Sequence, residues 1–230
     1  MQRADEATAD VWPEYNRHGD FVNPNWGRMR AAFPDFELVL CDAPEEEVLA
    51  QAHSLPLAWD GTAAGLPRGI DSVFEHAFSG ATPTALCAMA VEIVPAHQGG
   101  GLARRALDAM RRLALAHGLR DLIAPVRPSW KERYPLTPIE RYAGWRRTDG
   151  LLFDPWMRVH ERLGATVVRV EPRSLRITGT VGEWEAWTAL PFPETGEYVF
   201  PGGLATVAID READRGRYWE PNAWMHHALG

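Results

Sequence analysis

The sequence is short of the features that would place the protein in several large classes. Its 230 residues include only two cysteines, Cys41 and Cys87, and no Cys/His pattern with the spacing of a zinc site. No apolar run approaches the roughly 20 residues that a transmembrane helix requires, and the first ten residues lack a signal peptide's apolar core. These absences predict a cytoplasmic protein with no metal site and no membrane partner, in which both cysteines are buried free thiols.

Basic residues are also in the minority. Lysine and arginine number 24 against 31 aspartates and glutamates, which gives a formal net charge of −7. Because binding to a nucleic acid backbone needs a positive surface, this balance argues against nucleic acid as a partner. The same charge mildly favours a cationic small molecule, and a hydrophobic content of 46% is ordinary for a globular protein.

What the sequence does contain is a glycine-rich turn at residues 99–101. It follows a predicted strand, residues 85–94, and precedes a predicted amphipathic helix that ends at Gly118. Glycine permits positive φ, and the first amides of a helix lack intrahelical partners, so this junction predicts an anion site. No Gly-Lys-Ser/Thr follows the turn and no Gly-x-Gly-x-x-Gly is present, which argues against the common nucleotide-binding loops.

The turn reads Gln98-x-x-Gly101-x-Ala103, directly after a strand that ends at Val94-Pro95. This pattern resembles the pyrophosphate-binding motif of the GNAT superfamily, the acyl-CoA-dependent N-acyltransferases. The resemblance implies an α+β fold: a central mixed, mostly antiparallel sheet with a splayed pair of parallel strands, and helices on both faces. It also implies acetyl-CoA or another acyl-CoA as co-substrate. An ordinary tight turn between strand and helix is the alternative reading.

A second stretch, Val159 to Ala165, resembles a later signature of the family, in which a short helix ends in an aromatic-Tyr-Glu-Lys-x-Gly-Phe-like run before a strand. Here His160 stands where the family usually has tyrosine, and Ala165 where it usually has phenylalanine. The segment between Val126 and Pro155 is also longer than usual. Because the order of elements follows the family as far as residue 180, we predict a GNAT-like domain at 1–180 and a C-terminal extension at 181–230 packed on it.

The resemblance also assigns residues to the co-substrate. The backbone at Ile93 and Val94 is expected to donate to the thioester carbonyl, and the amides of the turn and of the first helical residues to hold the pyrophosphate. Arg104 or Arg105 contacts another phosphate, or else is a solvated helix charge. The predicted co-substrate residues are Ile93, Val94, Gln98, Gly99, Gly100, Gly101, Leu102, Ala103 and Arg104.

Two residues are candidates for proton transfer. Glu92 lies near the end of the strand before the turn, where some family members carry a catalytic carboxylate, and we predict it as the base, directly or through water. His160 takes the usual tyrosine position and is the candidate acid for the departing thiolate. The alternatives are a structural salt bridge for Glu92 and a core histidine for His160.

Local signals predict several further elements. His53, inside a predicted strand, is read as a structural histidine in preference to a catalytic one. The tryptophan-rich tail is read as a homodimer contact or a lid. The predicted elements are a helix at 25–32, strands at 36–41 and 48–57 with a turn at 42–46, a parallel strand at 121–126, a helix from Asp154, antiparallel strands at 165–170 and 174–180, and capping boxes at Ser129–Glu132, Thr137–Glu140 and Thr180–Glu183.

The first functional hypothesis is therefore an acyltransferase that moves an acetyl or other acyl group from acyl-CoA to the amine of a small molecule by direct transfer. The second is a protein of the same fold that binds acyl-CoA without transfer. A third is an enzyme that hydrolyses or decarboxylates an acyl thioester. Fold alone does not choose among them, because one fold hosts many activities.

Overall fold

The computed structural model describes residues 2–42 and 47–230, so the predicted turn after Asp42 lies outside the described residues. The helices are α1 (Gln2–Ala7), α2 (Val22–Ala32), α3 (Val73–Ala77), α4 (Leu102–Ala116), α5 (Ile139–Tyr142), α6 (Pro155–Arg162) and α7 (Val181–Thr188). The strands are β1 (Glu37–Asp42), β2 (Glu47–Leu57), β3 (Ala85–Ile93), β4 (Asp121–Val126), β5 (Thr166–Gly179), β6 (Gly196–Tyr198), β7 (Val207–Asp210) and β8 (Arg215–Ala228).

The eight strands form one mixed sheet in the order β1-β2-β3-β4-β8-β7-β6, with β5 paired to the other side of β8. The β3–β4 pair is parallel, and every other pair of neighbouring strands in the described residues is antiparallel. A parallel pair needs a crossover connection, and α4 supplies it. The predicted fold class is confirmed: a mixed, mostly antiparallel sheet with one parallel pair.

Helices cover both faces of the sheet because its strands are apolar on both faces. Alternate residues of β3 enter different cores: Cys87 packs with α2, α3 and α7, whereas Leu86 packs with α4, α5 and α6. The two cores lie on opposite faces of the sheet, and Phe33 packs against both. A change in the distance between β3 and β4 would alter the packing of both cores.

One predicted pair of strands is wrong. Residues 165–170 and 174–180 were expected to pair with each other, but they belong to the single strand β5. The register of β5 against β8 shifts between Glu171 and Leu175, so the turn signal read at Pro172 marks an irregularity within one strand. β5 is antiparallel to β8 instead, and β8 comes from the predicted extension.

The boundary predicted at residue 180 is crossed by sheet pairing. β8 lies between β4 and β5, both of which belong to the predicted domain 1–180. Residues 215–228 thus complete the central sheet. Residues 220–225 are all buried, as expected for a strand that is covered on both faces.

Two of the predicted helix caps are confirmed and two are wrong. Thr180 and Glu183 form the predicted capping box, and Asp154 caps α6. Ser129 and Thr137 cap nothing, because each helix begins one residue later than predicted, after Trp130 and after Pro138.

Both cysteines are free and lie in strands, but Cys41 is exposed, since β1 is an edge strand, whereas Cys87 is buried.

No helix within residues 2–42 and 47–230 is long and apolar enough to cross a bilayer. The predicted cytoplasmic location and homodimer remain predictions.

Candidate active site

A cleft opens where the two parallel strands separate. β3 and β4 pair only along a short seam, Ala85–Cys87 with Asp121–Ile123, although β3 continues to Ile93 and β4 to Val126. Beyond the seam the strands diverge and leave a gap in the middle of the sheet. The cleft passes through this gap and has a volume of about 1170 Å³, which is large enough for a sizeable ligand.

The edge of β3 presents free backbone donors to the gap. The Val94 amide donates to the Leu49 carbonyl of β2 at 3.0 Å. Because antiparallel ladders alternate, Val91 and Ile93 then direct their amides away from β2, toward β4. The prediction for Ile93 fits this geometry. The prediction for Val94 is wrong for its amide, which points to β2 and is already bound there.

The glycine turn forms one end of the cleft. Gly99 and Gly101 have φ values of 80° and 81°, and α4 begins immediately afterwards with no side-chain cap. A Cβ added at either glycine would meet no atom within 4 Å, so positive φ, not crowding, is what favours glycine here.

The first amides of α4 remain available to an anion. The first backbone bond of the helix is donated by Arg105 to the Gly101 carbonyl at 3.2 Å, so the amides of residues 102–104 precede it and face the turn. Gln98 donates its side-chain amide to the Ile93 carbonyl at 3.2 Å and ties the turn to β3. Every predicted co-substrate residue except Val94 and Gly100 lines the cleft.

Glu92 lies in the cleft as a buried, hydrogen-bonded carboxylate. It accepts hydrogen bonds from Trp12 Nε1 at 2.6 Å, Gln51 Nε2 at 2.6 Å and Thr8 Oγ1 at 2.9 Å. Burial by itself would raise the pKa of Glu92, but the positive charge of His53 and the hydrogen bonds from Trp12 and Gln51 lower the pKa to about 2. Glu92 therefore offers a fixed negative charge at neutral pH.

His53 is held between two carboxylates. Its Nδ1 lies 2.6 Å from Glu37 Oε2, and its Nε2 lies 3.8 Å from Glu92 Oε2. Burial lowers the pKa of His53, but the two glutamates outweigh this and raise it to about 9. His53 is thus a buried imidazolium at neutral pH, in keeping with the structural role predicted for it. It lines the cleft beside Glu92.

The two shifted groups predict how stability depends on pH. Glu92 contributes to the free energy of unfolding above its usual pKa near 4.5, and this contribution is lost as the pH falls toward about 2. His53 contributes below its usual pKa of 6.5, and this contribution is lost as the pH rises through about 9. Between pH 6.5 and 9.5 the wild type should therefore lose on the order of 3 kcal/mol more unfolding free energy than His53→Gln. Urea denaturation of both proteins at the two pH values measures this, and parallel losses would contradict it.

His160 lines the cleft from α6 as a neutral imidazole. Burial, and then the neighbouring His227, lower its pKa to about 3. Its Nδ1 lies 3.0 Å from His227 Nε2, while its Nε2 is buried without a partner. His160 is therefore uncharged at neutral pH, and if it acts as the predicted acid, the proton donor is a neutral imidazole.

Sequence reasoning missed a second polar wall of the cleft. Arg127 Nε lies 3.1 Å from Glu220 Oε2, and Asn16 donates to Glu220 at 3.0 Å. Asn222, two residues further along β8, also faces the cleft. Arg127 could have been found, because it directly follows a buried strand whose end meets the gap. Glu220 and Asn222 could not have been found without the position of β8 in the sheet, and Asn16 joins this wall through Glu220. Among the described residues no group of His, Cys, Asp and Glu is arranged to hold a metal ion.

Comparisons with known proteins agree with this geometry. The chain is 27% identical over 252 aligned positions to arginine N-acetyltransferase avaD of Aspergillus versicolor, covering 96% of this chain and 86% of that protein. It superposes on the loading GNATL domain of CurA from Lyngbya majuscula with a TM-score of 0.63, at 16% identity and 99% and 92% coverage of the two chains. The GphF GNAT-like decarboxylase, solved with isobutyryl-CoA, gives 0.64 at 17% identity, with 100% and 94% coverage. No family model matches the sequence.

The chain has the fold of the GNAT superfamily. The GNAT-like fold predicted with the Gln98–Ala103 turn is confirmed, and the similarity to an N-acetyltransferase supports the predicted class of acyl-CoA-dependent acyltransferases. The roles of Glu92 and His160 remain predictions.

Proposed function

We propose that the protein transfers an acetyl group from acetyl-CoA to an amine of a small cationic molecule, with arginine as the first acceptor to test. The observation that carries the proposal is the position of Glu92, a buried anionic carboxylate in the cleft, on the same strand whose free amides face the gap. The name of the Aspergillus versicolor relative and the net charge of −7 support arginine or a similar cation.

Each group of backbone donors has a separate role that follows from its position in the cleft. The first amides of α4 and the glycine turn bind the pyrophosphate of the thioester substrate. The amides of Val91 and Ile93 stabilise the negative charge that develops on the thioester oxygen. The amine attacks the carbonyl carbon, the carbon–sulfur bond breaks, and the thiolate departs.

Glu92 acts on the acceptor nitrogen chiefly through its charge. A carboxylate with a pKa of about 2 holds a proton poorly, so water is the immediate proton acceptor and Glu92 orients the ammonium and stabilises its charge. This refines the base predicted from the sequence, which was expected to act directly or through water.

Calorimetry followed by an acceptor screen tests the proposal. Titration with acetyl-CoA, CoA and one longer acyl-CoA should give dissociation constants of micromolar order, typical of substrate affinities. Mass spectrometry should then detect one added acetyl group on arginine, and little or none on glutamate. Free CoA released equally with and without amine would indicate thioester hydrolysis. Binding with neither product would leave an acyl-CoA-binding protein, and no binding would overturn the proposal.

A further inference from the structure

Two buried histidines lie in contact at the wall of the cleft, which His160 lines. His160 of α6 and His227 of β8 are each 1% exposed, and 3.0 Å separates His160 Nδ1 from His227 Nε2. His160 Nε2 is buried without a hydrogen-bond partner, and His227 Nδ1 is buried without a well-formed hydrogen bond, although the Leu163 carbonyl acts on His227. Because a buried polar atom without a partner is costly, this arrangement calls for a function.

The contact allows only two arrangements of protons in the neutral pair. The hydrogen bond needs one N–H between the facing nitrogens, and two neutral imidazoles carry two protons in all. The second proton therefore resides either on His160 Nε2, at the cleft, or on His227 Nδ1, at the far end. The two arrangements exchange without a lasting charge when the shared proton crosses the bond and, at the same time, one outer nitrogen releases a proton while the other takes one up.

The surroundings keep the pair neutral, and two partly exposed charges of α4 lie close enough to His227 to act on its pKa. Burial is the main cause that lowers the pKa of His160 to about 3 and of His227 to about 4. Arg111 of α4 and His226 also lower the pKa of His227, while the Leu163 carbonyl and Asp108 of α4 raise it. Asp108 and Arg111 are each partly exposed and pair at 3.2 Å, so solvent lies beyond them.

We propose that His227 is the second member of a proton relay, through which His160 exchanges a proton between the reacting centre and solvent. The inference rests on the proposed acyl transfer. His160 is the member that meets the reacting atoms, and His227 acts through it.

The relay satisfies the proton balance of acyl transfer. An ammonium acceptor loses two protons when it becomes an amide, the thiolate of CoA gains one, and one is released to solvent. His160 Nε2–H gives its proton to the departing thiolate, His160 Nδ1 takes the proton of His227 Nε2, and His227 Nδ1 takes one from water. The pair resets when a proton of the acceptor nitrogen leaves by the same two rings in the opposite direction.

Substitutions at residue 227 separate a relay from a merely positioning contact. His227→Gln keeps a side chain that can hydrogen-bond to His160 but cannot pass a proton, and His227→Phe removes both functions. Both variants should lower kcat at least roughly tenfold, within the range of proton-transfer catalysis, and leave the Kd of acetyl-CoA unchanged. His226→Gln, which alters the neighbouring imidazole outside the pair, should retain wild-type kcat. Wild-type turnover in His227→Gln would overturn the relay.

Nitrogen-15 NMR of the two imidazoles gives a second readout that needs no turnover. The outer proton should change ends between the acetyl-CoA and CoA complexes of the wild type, because only CoA places a thiol beside His160. The same tautomer in both complexes would overturn the relay, even if arginine is acetylated. A change of tautomer without acetylation of any amine would support the relay and reject the proposed acceptor chemistry. Failure to bind CoA would overturn both.

Discussion

Gly101→Val is expected to raise the Kd of acetyl-CoA roughly a hundredfold, the equivalent of losing one or two hydrogen bonds to a charged group. Gly101 has a φ of 81° immediately before the first residue of α4. A β-branched residue strains this conformation, and relief of the strain turns the first amides of the helix away from the pyrophosphate. Isothermal titration with acetyl-CoA measures the change.

Gly118→Val is the matched control. Gly118 follows the other end of the same helix with a φ of 73°, and a Cβ added there also meets no atom within 4 Å. Both substitutions should lower the melting temperature by a similar amount, since both introduce left-handed strain. Only Gly101→Val should weaken binding. Equal affinities in the two variants would mean that the turn is structural and that the anion site lies elsewhere.

Glu92→Gln is expected to lower kcat by roughly two to three orders of magnitude, the range typical of a lost proton-transfer or charge-stabilising group, with little change in the Kd of acetyl-CoA. The substitution keeps the size of the side chain but removes the negative charge that faces the acceptor. The donors Trp12 and Thr8 lose an ionised acceptor as well. Steady-state kinetics with arginine measures kcat, and calorimetry measures Kd.

Glu37→Gln controls for the loss of a buried carboxylate beside His53. Glu37 lies 2.6 Å from His53 Nδ1, on the opposite side of the ring from Glu92, and it does not line the cleft. Both variants remove a partner of the same imidazolium, so both should lose stability, but only Glu92→Gln should lose turnover. A comparable fall of kcat in Glu37→Gln would show that the His53 ion pairs support the fold and that Glu92 has no separate role in the reaction.

The most accurate predictions from the sequence concern structural features that are determined by residues close together in the chain. The strand, glycine turn and helix from Ala85 to Ala116 appear almost at the expected residues, because their signals lie within one short stretch: the apolar run, the positive-φ glycines and the helical period. The Asp154 cap and the Thr180 capping box are local in the same way.

Features that depend on distant residues could not be read in this way. Glu92 is held by Thr8 and Trp12, which precede it by 84 and 80 positions. Nothing in the local pattern of residues 215–228 indicates a central strand instead of an added one, and that placement brings His227 to His160. The same limit explains β5, where Pro172 resembles a turn signal unless the long partner strand β8 is known.

The short seam has a mechanical consequence for the whole molecule. β1, β2 and β3 form one half of the sheet and β4 to β8 the other, and among the described residues only three strand-paired positions join the halves within the sheet. The halves should therefore flex about the seam more easily than strands within either half move past each other. A ligand that contacts both walls of the gap would stiffen this hinge. Acyl-CoA should then slow backbone amide exchange in the seam itself, at Ala85–Cys87 and Asp121–Ile123, as well as at the residues that it touches.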